Sequence, residues 1–290
     1  QMNTEDIRKI GIIGSGTMGR GIAICSALAG FETVINDISA EALTNSGSAI
    51  EKILSVSSEK KKITEEEKNA ALSRIIYASD FNSLKDCDFI IEAAAEDELI
   101  KKDIFSRLDS ICRSDAILST NTSSLSVTNI SAAVKNNPGR VIGMHFFNPA
   151  NIMKLVEIVK GDFTSEDTLK TTTELTNKLN KTPVTAKDTP AFIVNRIARP
   201  FYGEALKILA EGTSDPETID KVMKECGKFA MGPFELMDLI GIDVNFSVTK
   251  SVYEAFFNDP KYRPSFIQKK MTDANMLGRK TGRGFYNYNK

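Results

Sequence analysis

The 290 residues include one histidine, His145, and no tryptophan. Any imidazole chemistry must therefore run through that side chain, and mechanisms needing two imidazoles, such as H-E-x-x-H zinc hydrolysis, are excluded. His145 closes the apolar run Val141-Ile142-Gly143-Met144, a position where open α/β sheets place ligands, outside the carboxyl ends of their strands. A lone histidine followed by Phe146 and Phe147 also has the look of a packed core residue. Twelve residues further on, Glu157 is the one acid in Met153-Lys154-Leu155-Val156-Glu157-Ile158-Val159. A carboxylate buried in such a strand needs a partner, and a histidine is a natural one.

A second constellation is Gly14-Ser15-Gly16-Thr17-Met18-Gly19. G-x-G-x-x-G is weak by itself, but here an apolar strand precedes it, helical spacing follows it, and Asp37 ends the next strand, 18 residues beyond Gly19. Gly14 permits the tight turn, Gly16 lets the backbone approach a pyrophosphate, and Gly19 allows close packing of helix on strand, while the helix N-terminus offers amide hydrogens. Asp37 suits the ribose hydroxyls and repels a 2′-phosphate. Asn36, Ile38 and Ser39 offer no arginine for that phosphate, so NAD is expected rather than NADP. A His-Glu pair beside a nicotinamide can move a proton while the cofactor moves a hydride, with the carboxylate fixing the tautomer and stabilising the imidazolium.

Other candidates read less sharply. Ser119-Thr120-Asn121-Thr122-Ser123-Ser124 follows a strand and could hydrogen-bond a substrate oxygen, although turns and helix caps have the same composition. Asn195 lies in a helix amid apolar neighbours and is either functional or a satisfied interhelical polar group. Glu59-Lys60-Lys61-Lys62 could meet phosphates or be a solvated helix end.

The elements that must carry these residues change character along the chain. Short apolar runs at Lys9–Ile13, Phe31–Asp37, Arg74–Tyr77, Asp88–Glu92, Ala116–Ser119, Arg140–Met144 and Met153–Val159 alternate with amphipathic stretches. That alternation predicts a doubly wound, Rossmann-type α/β sheet. From Ala191 the spacing is helical, with Pro200 implying a kink, and further helices are predicted at Asp215–Cys226, Phe234–Ile240, Asn245–Phe257 and Ser265–Asn275. Residues 1–187 are thus expected to form a dinucleotide-binding domain and residues 188–290 an all-helical one.

Bulk properties narrow the class further. With 37 basic and 38 acidic residues, there is no global basic field for nucleic acid. No run of ~18 apolar residues suggests a membrane span. Cys25, Cys87, Cys112 and Cys226 form no C-x-x-C pair, so free thiols and no metal site are expected, and the reading is cytoplasmic. Gln1 to Asp6 lacks a basic region ahead of an apolar core, so no secretory leader is expected, and Gln1 before Met2 reads as an expression remnant.

Several of these motifs agree in order and spacing with one family. Ile12 to Gly19, Asn121 to Leu125, His145-Phe146-Phe147-Asn148-Pro149, Lys154 to Glu157, Asp188 to Arg196, Met231 to Leu236 and Lys280 to Tyr286 span nearly the whole chain. Together they resemble the short-chain L-3-hydroxyacyl-CoA dehydrogenases, most closely the bacterial 3-hydroxybutyryl-CoA dehydrogenases. The resemblance implies that His145 is the general acid/base and Glu157 its partner, with Ser123 and Asn195 hydrogen-bonding the substrate. It also implies dinucleotide contacts by Glu96, Lys101, Ser123, Asn148 and Lys280, a CoA-binding hairpin whose basic character survives in Lys60 to Lys62, an acyl-CoA substrate held between the domains, and a homodimer joined through the helical domain. Lys135 to Arg140 is one residue longer than the family spacing, so Ser124 stands as the alternative to Ser123. A sugar-acid dehydrogenase of the gulonate type and a catalytically retired, crystallin-like protein are the competing readings.

Overall fold

A computed structural model of the chain describes residues 2–289. The chain divides into two compact units, 1–189 and 190–290. In the first unit the elements run β1 (Lys9–Ile13), α1 (Thr17–Leu28), β2 (Glu32–Asn36), α2 (Ala40–Glu59), α3 (Glu65–Ser73), β3 (Ile75–Ala78), β4 (Phe89–Glu92), α4 (Glu98–Ile111), β5 (Ile117–Thr120), α5 (Val127–Ser131), β6 (Val141–Phe146), β7 (Leu155–Lys160), α6 (Glu166–Lys178) and β8 (Thr182–Lys187).

The strands form one sheet in the order β3-β2-β1-β4-β5-β6-β7-β8. Pairing is parallel except between β6 and β7. The sheet is covered on both faces, which is why β1 and β4 read as unbroken apolar runs rather than alternating ones. One face packs Ile10, Ile12, Phe89 and Ile91 against Ile22, Leu54 and Leu175 of α1, α2 and α6. The other packs Ile13, Ile90 and Leu118 against Phe105, Leu108 and Ile130 of α4 and α5. Because β1, β2, β4, β5 and β6 run parallel, the segments leaving their carboxyl ends gather at one edge of the sheet.

Seven strands lie at the expected places, and an eighth, β8, was not anticipated. It is a largely exposed edge strand carrying Thr182, Pro183 and Lys187, so it lacks the apolar signature and tolerates a proline that an interior strand would reject. Helix α1 starts at Thr17, within the glycine motif itself.

The second unit contains α7 (Val194–Ala210), α8 (Pro216–Glu225), α9 (Pro233–Ile240), α10 (Ile242–Ala255) and α11 (Phe266–Asp273). Its core gathers Tyr202, Leu206, Ile219, Phe234 and Met237. The expected helix start at Ala191 is corrected to Val194. Ala191 and Phe192 have φ of 66° and 51°, a left-handed conformation that cannot continue a right-handed helix. Pro200 sits inside α7. Pro216 and Pro233 open α8 and α9, and Asp215 caps α8 by accepting the Thr218 amide.

Candidate active site

The glycine loop links β1 to α1, and its three glycines have different surroundings. Gly14 has φ of 96°, and a Cβ there would lie 2.5 Å from the Ala93 carbonyl oxygen; at Gly19 it would lie 1.8 Å from that of Gly14. Both are small because the protein itself closes on them. A Cβ on Gly16 would meet no protein atom within 4 Å. Gly16 is also the N-cap of α1 and supplies no side-chain cap, so no capping side chain occupies the first amides of that helix. The loop therefore fits a dinucleotide pyrophosphate.

Asp37 follows β2 and reaches back to this loop. Its Oδ2 accepts from Ser15 N at 2.8 Å and Ser15 Oγ at 2.7 Å, and its Oδ1 accepts from Ser39 N at 3.0 Å. Partial burial pushes its carboxyl up, but the hydrogen bonds from Ser39 and Ser15 outweigh that and hold it below the usual range. The carboxylate is thus ionised and fixed, with lone pairs remaining for ribose hydroxyls.

At the end of β6, His145 is paired across the antiparallel register with Glu157 of β7. Residues directly opposite in such a pair project from the same face, and here His145 Nδ1 lies 2.7 Å from Glu157 Oε2. Glu157 is fully buried and His145 nearly so. A carboxylate acceptor requires Nδ1 to carry the proton, which leaves Nε2 as the nitrogen for proton exchange. The Phe147 ring packs on the imidazole at a centroid distance of 4.5 Å. Asn121, just past β5, accepts the Phe146 amide at 2.8 Å, tying the histidine strand to its neighbour.

Between these two parts lies a polar network. Glu92, at the end of β4 and fully buried, takes Lys101 Nζ at 2.7 and 2.9 Å, Thr120 Oγ1 at 2.7 Å and Ala94 N at 2.7 Å. Lys101 Nζ also lies 3.4 Å from Glu96 Oε2. Glu96 Oε1 accepts from Thr122 Oγ1 at 2.6 Å, Ser123 N at 2.8 Å, Ser123 Oγ at 3.2 Å and Ser124 Oγ at 3.3 Å. Burial pushes Glu96 up, but Lys101 and the Thr122 and Ser123 donors outweigh it, so its carboxyl sits below the usual range. Glu96, Lys101 and Ser123 are thus gathered in one cluster, with both candidate serines on the same carboxylate oxygen.

The remaining candidates are more dispersed. Asn148 is exposed and precedes Pro149 through a cis peptide bond. Lys60 caps the C-terminus of α2 and, with Lys61 and Lys62, forms the exposed turn leading towards α3. In the second unit, Asn195 lies half-buried in the first turn of α7, and Lys280 Nζ lies 2.6 Å from Asp243 Oδ1.

Glu92 and Asn121 were not singled out from the sequence. Glu92 carries the same signal that drew attention to Asp37 and Glu157, an acid at or within an apolar strand, and could have been found that way. Nothing in composition separates Asn121 from its hydroxyl-rich neighbours.

Comparison with known proteins agrees along the whole chain. Residues 9–189 match the family model "3-hydroxyacyl-CoA dehydrogenase, NAD binding domain", and residues 192–288 match "3-hydroxyacyl-CoA dehydrogenase, C-terminal domain". A 3-hydroxybutyryl-CoA dehydrogenase of Bradyrhizobium diazoefficiens is 44% identical over 97% of this chain and 96% of its own. A 3-hydroxyadipyl-CoA dehydrogenase of Escherichia coli is also 44% identical over 98% of this chain, which spans 59% of that longer protein. The crystal structure of (S)-3-hydroxybutyryl-CoA dehydrogenase from Ralstonia eutropha superposes with a TM-score of 0.93 at 42% identity, covering 98% of this chain and 100% of that one.

Proposed function

The chain belongs to the 3-hydroxyacyl-CoA dehydrogenase family, and on that footing we propose that it interconverts (S)-3-hydroxybutyryl-CoA, or a short-chain 3-hydroxyacyl-CoA, and the 3-ketoacyl-CoA by NAD-dependent hydride transfer. The observation that carries this reading is the 2.7 Å His145–Glu157 pair, at the sheet edge that also bears the glycine loop.

NAD, when bound at that loop, supplies the hydride acceptor or donor. Gly14 to Gly19 and the first amides of α1 hold its pyrophosphate, and Asp37 its ribose. In oxidation, His145 Nε2 takes the proton of the 3-hydroxyl, and Glu157 stabilises the imidazolium that results. In reduction, the imidazolium returns that proton to the 3-keto oxygen. General acid/base catalysis of this kind contributes about 10²- to 10⁴-fold, and positioning supplies more. Ser123, with Ser124 as the alternative, and Asn195 hydrogen-bond the reacting oxygen. Glu92 and Lys101 act as positioning residues by fixing Glu96 beside the serines.

The family resemblance supports Glu96, Lys101, Ser123, Asn148 and Lys280 as dinucleotide contacts, Lys60 as a contact to CoA phosphate, and a homodimer formed by the helical domain. Among the described residues no helix is long and apolar enough to cross a membrane. Cysteines without disulfide partners support a reducing, cytoplasmic setting.

The test is the absorbance of NADH at 340 nm in the presence of acetoacetyl-CoA. Consumption of NADH supports the reading. Gulonate oxidation without activity on acetoacetyl-CoA would favour the sugar-acid dehydrogenase, and inactivity on both would favour the retired protein.

A further inference from the structure

Lys181, between the end of α6 and the start of β8, is only 7% exposed. Asn180 before it has φ of 58°, and the Lys181 amide closes the turn on the Thr176 carbonyl at 3.1 Å. Lys101 and Arg140, also buried in this unit, each face a carboxylate. Lys181, among the described residues, faces carbonyls instead: its Nζ donates to the Ala150 oxygen at 2.5 Å and to the Met153 oxygen at 2.8 Å. Burying an ammonium without a counter-charge is costly. What it brings in return is three donors on one compact group, which no apolar side chain of the same length supplies.

Both carbonyls belong to the connection between β6 and β7, residues 147–154. The Pro149 carbonyl accepts the Ile152 and Met153 amides, both at 2.9 Å, so the middle of the connection is a tight turn with Lys181 on two of its oxygens. Apart from the lysine, the Ala150 oxygen has the Cys25 thiol of α1 at 3.5 Å, a weak donor. Ala150 is buried against the same helix, where a Cβ on Gly21 would lie 2.9 Å from its own. The ammonium therefore satisfies backbone acceptors that folding would otherwise leave short of a partner.

The connection carries two residues of the candidate site, Phe147, whose ring packs on the His145 imidazole, and Asn148. We propose that Lys181 is a positioning residue for the dehydrogenase reaction. By holding the Ala150 and Met153 carbonyls it sets where Phe147 meets the imidazole and where Asn148 meets the dinucleotide. The role of Asn148 rests on the functional reading given above, whereas that of Phe147 rests on geometry.

Lys181→Met keeps the length of the side chain and removes its donors. Two readouts on the full-length protein test its role. The NADH dissociation constant, by fluorescence, is expected to rise about 10-fold. In histidine-labelled protein the one imidazole of the chain gives one Cε1–H resonance, whose position depends on the Phe147 ring beside it, and that resonance is expected to move. Thr164→Val controls for lost stability, because it removes hydrogen bonds at the opposite end of β6, from Thr164 Oγ1 to the Val141 carbonyl at 2.7 Å and from the Gly161 amide to Thr164 Oγ1 at 3.0 Å. It is expected to lower Tm and leave both readouts as in the wild type.

An NADH affinity within twofold of the wild type, an unmoved resonance, or equal changes in Thr164→Val overturns the proposal. Should Lys181→Met not fold, Lys181→Gln, which keeps a shorter donor, replaces it and is held to the same readouts, with a smaller rise of about threefold expected. If the wild type itself binds no NADH, the dehydrogenase reading fails, and the resonance alone decides whether Lys181 sets the position of Phe147.

Discussion

His145 and Glu157 face each other across the antiparallel pairing of β6 with β7, and their side chains meet at 2.7 Å. The turn of the chain between two adjacent strands therefore sets the twelve-residue spacing, and sheet register does the aligning. Glu157→Gln keeps the shape but removes the charge that, in the proposed reaction, stabilises the imidazolium. The expected outcome is a loss of about 10-fold or more in kcat, because a neutral amide no longer compensates the positive charge that the imidazole gains in the proposed reaction. A kcat within a few-fold of the wild type would mean that Glu157 only packs.

The glycine loop yields a pair of substitutions with opposite signatures. In Gly16→Ala the new methyl meets no protein atom, so Tm should change little, while KM for NAD rises roughly 10-fold as the pyrophosphate loses its approach. In Gly19→Ala the methyl would sit 1.8 Å from the Gly14 carbonyl oxygen, so the fold itself must shift and Tm should fall. Melting curves and NAD titrations of both variants check the contrast. An intact Tm in Gly19→Ala or an unaltered KM in Gly16→Ala would remove the assignment of roles.

The parts of this arrangement that were legible in the sequence are those with a local signal. β1 and β4, buried on both faces, announce themselves as apolar runs, and the loop, Asp37 and His145 each stand at a strand end. β8 carries no such signal because it lies at the exposed edge. The start of α7 was misplaced because positive φ at Ala191 and Phe192 is imposed by surroundings that spacing does not reveal. Glu92 and Asn121 act through partners distant in sequence, Lys101 and Thr120 for one and the Phe146 amide for the other, so their importance emerges only once the strands are side by side.

Acid should destabilise the protein in a definite window. Burial pushes Asp37, Glu96 and Asp109 up, but hydrogen bonds, joined by Lys101 at Glu96 and Arg140 at Asp109, outweigh it and hold all three below the usual carboxylate range. Such groups contribute stability that is fully present above the ordinary carboxylate value near ~4 and is lost as pH falls through the depressed one. Tm is therefore expected to be nearly flat from about pH 7 to 5 and to drop below about 4. The difference between wild type and Glu96→Gln should shrink over the same interval, and a constant difference down to pH 3 would contradict the account.

Thiol reactivity offers a test of packing. Burial pushes Cys87 up to about 12 and Cys112 to about 11, and Cys25 is raised for the same reason, whereas Cys226 is exposed. The thiolate is the reactive form, so a disulfide reagent should modify one cysteine in the native protein and four after denaturation. Rapid native modification of more than one would show that the core around β4 and α4 is looser than described.

The central claim is that His145 carries the proton while the bound dinucleotide carries the hydride. The most direct measurement compares wild type and His145→Gln for two quantities, the NADH dissociation constant by fluorescence and acetoacetyl-CoA reduction at 340 nm. The account predicts that NADH binding stays within about twofold and that turnover falls by at least ~10²-fold, as expected on removing a general acid. Turnover within a few-fold of the wild type, with NADH still bound, would contradict it.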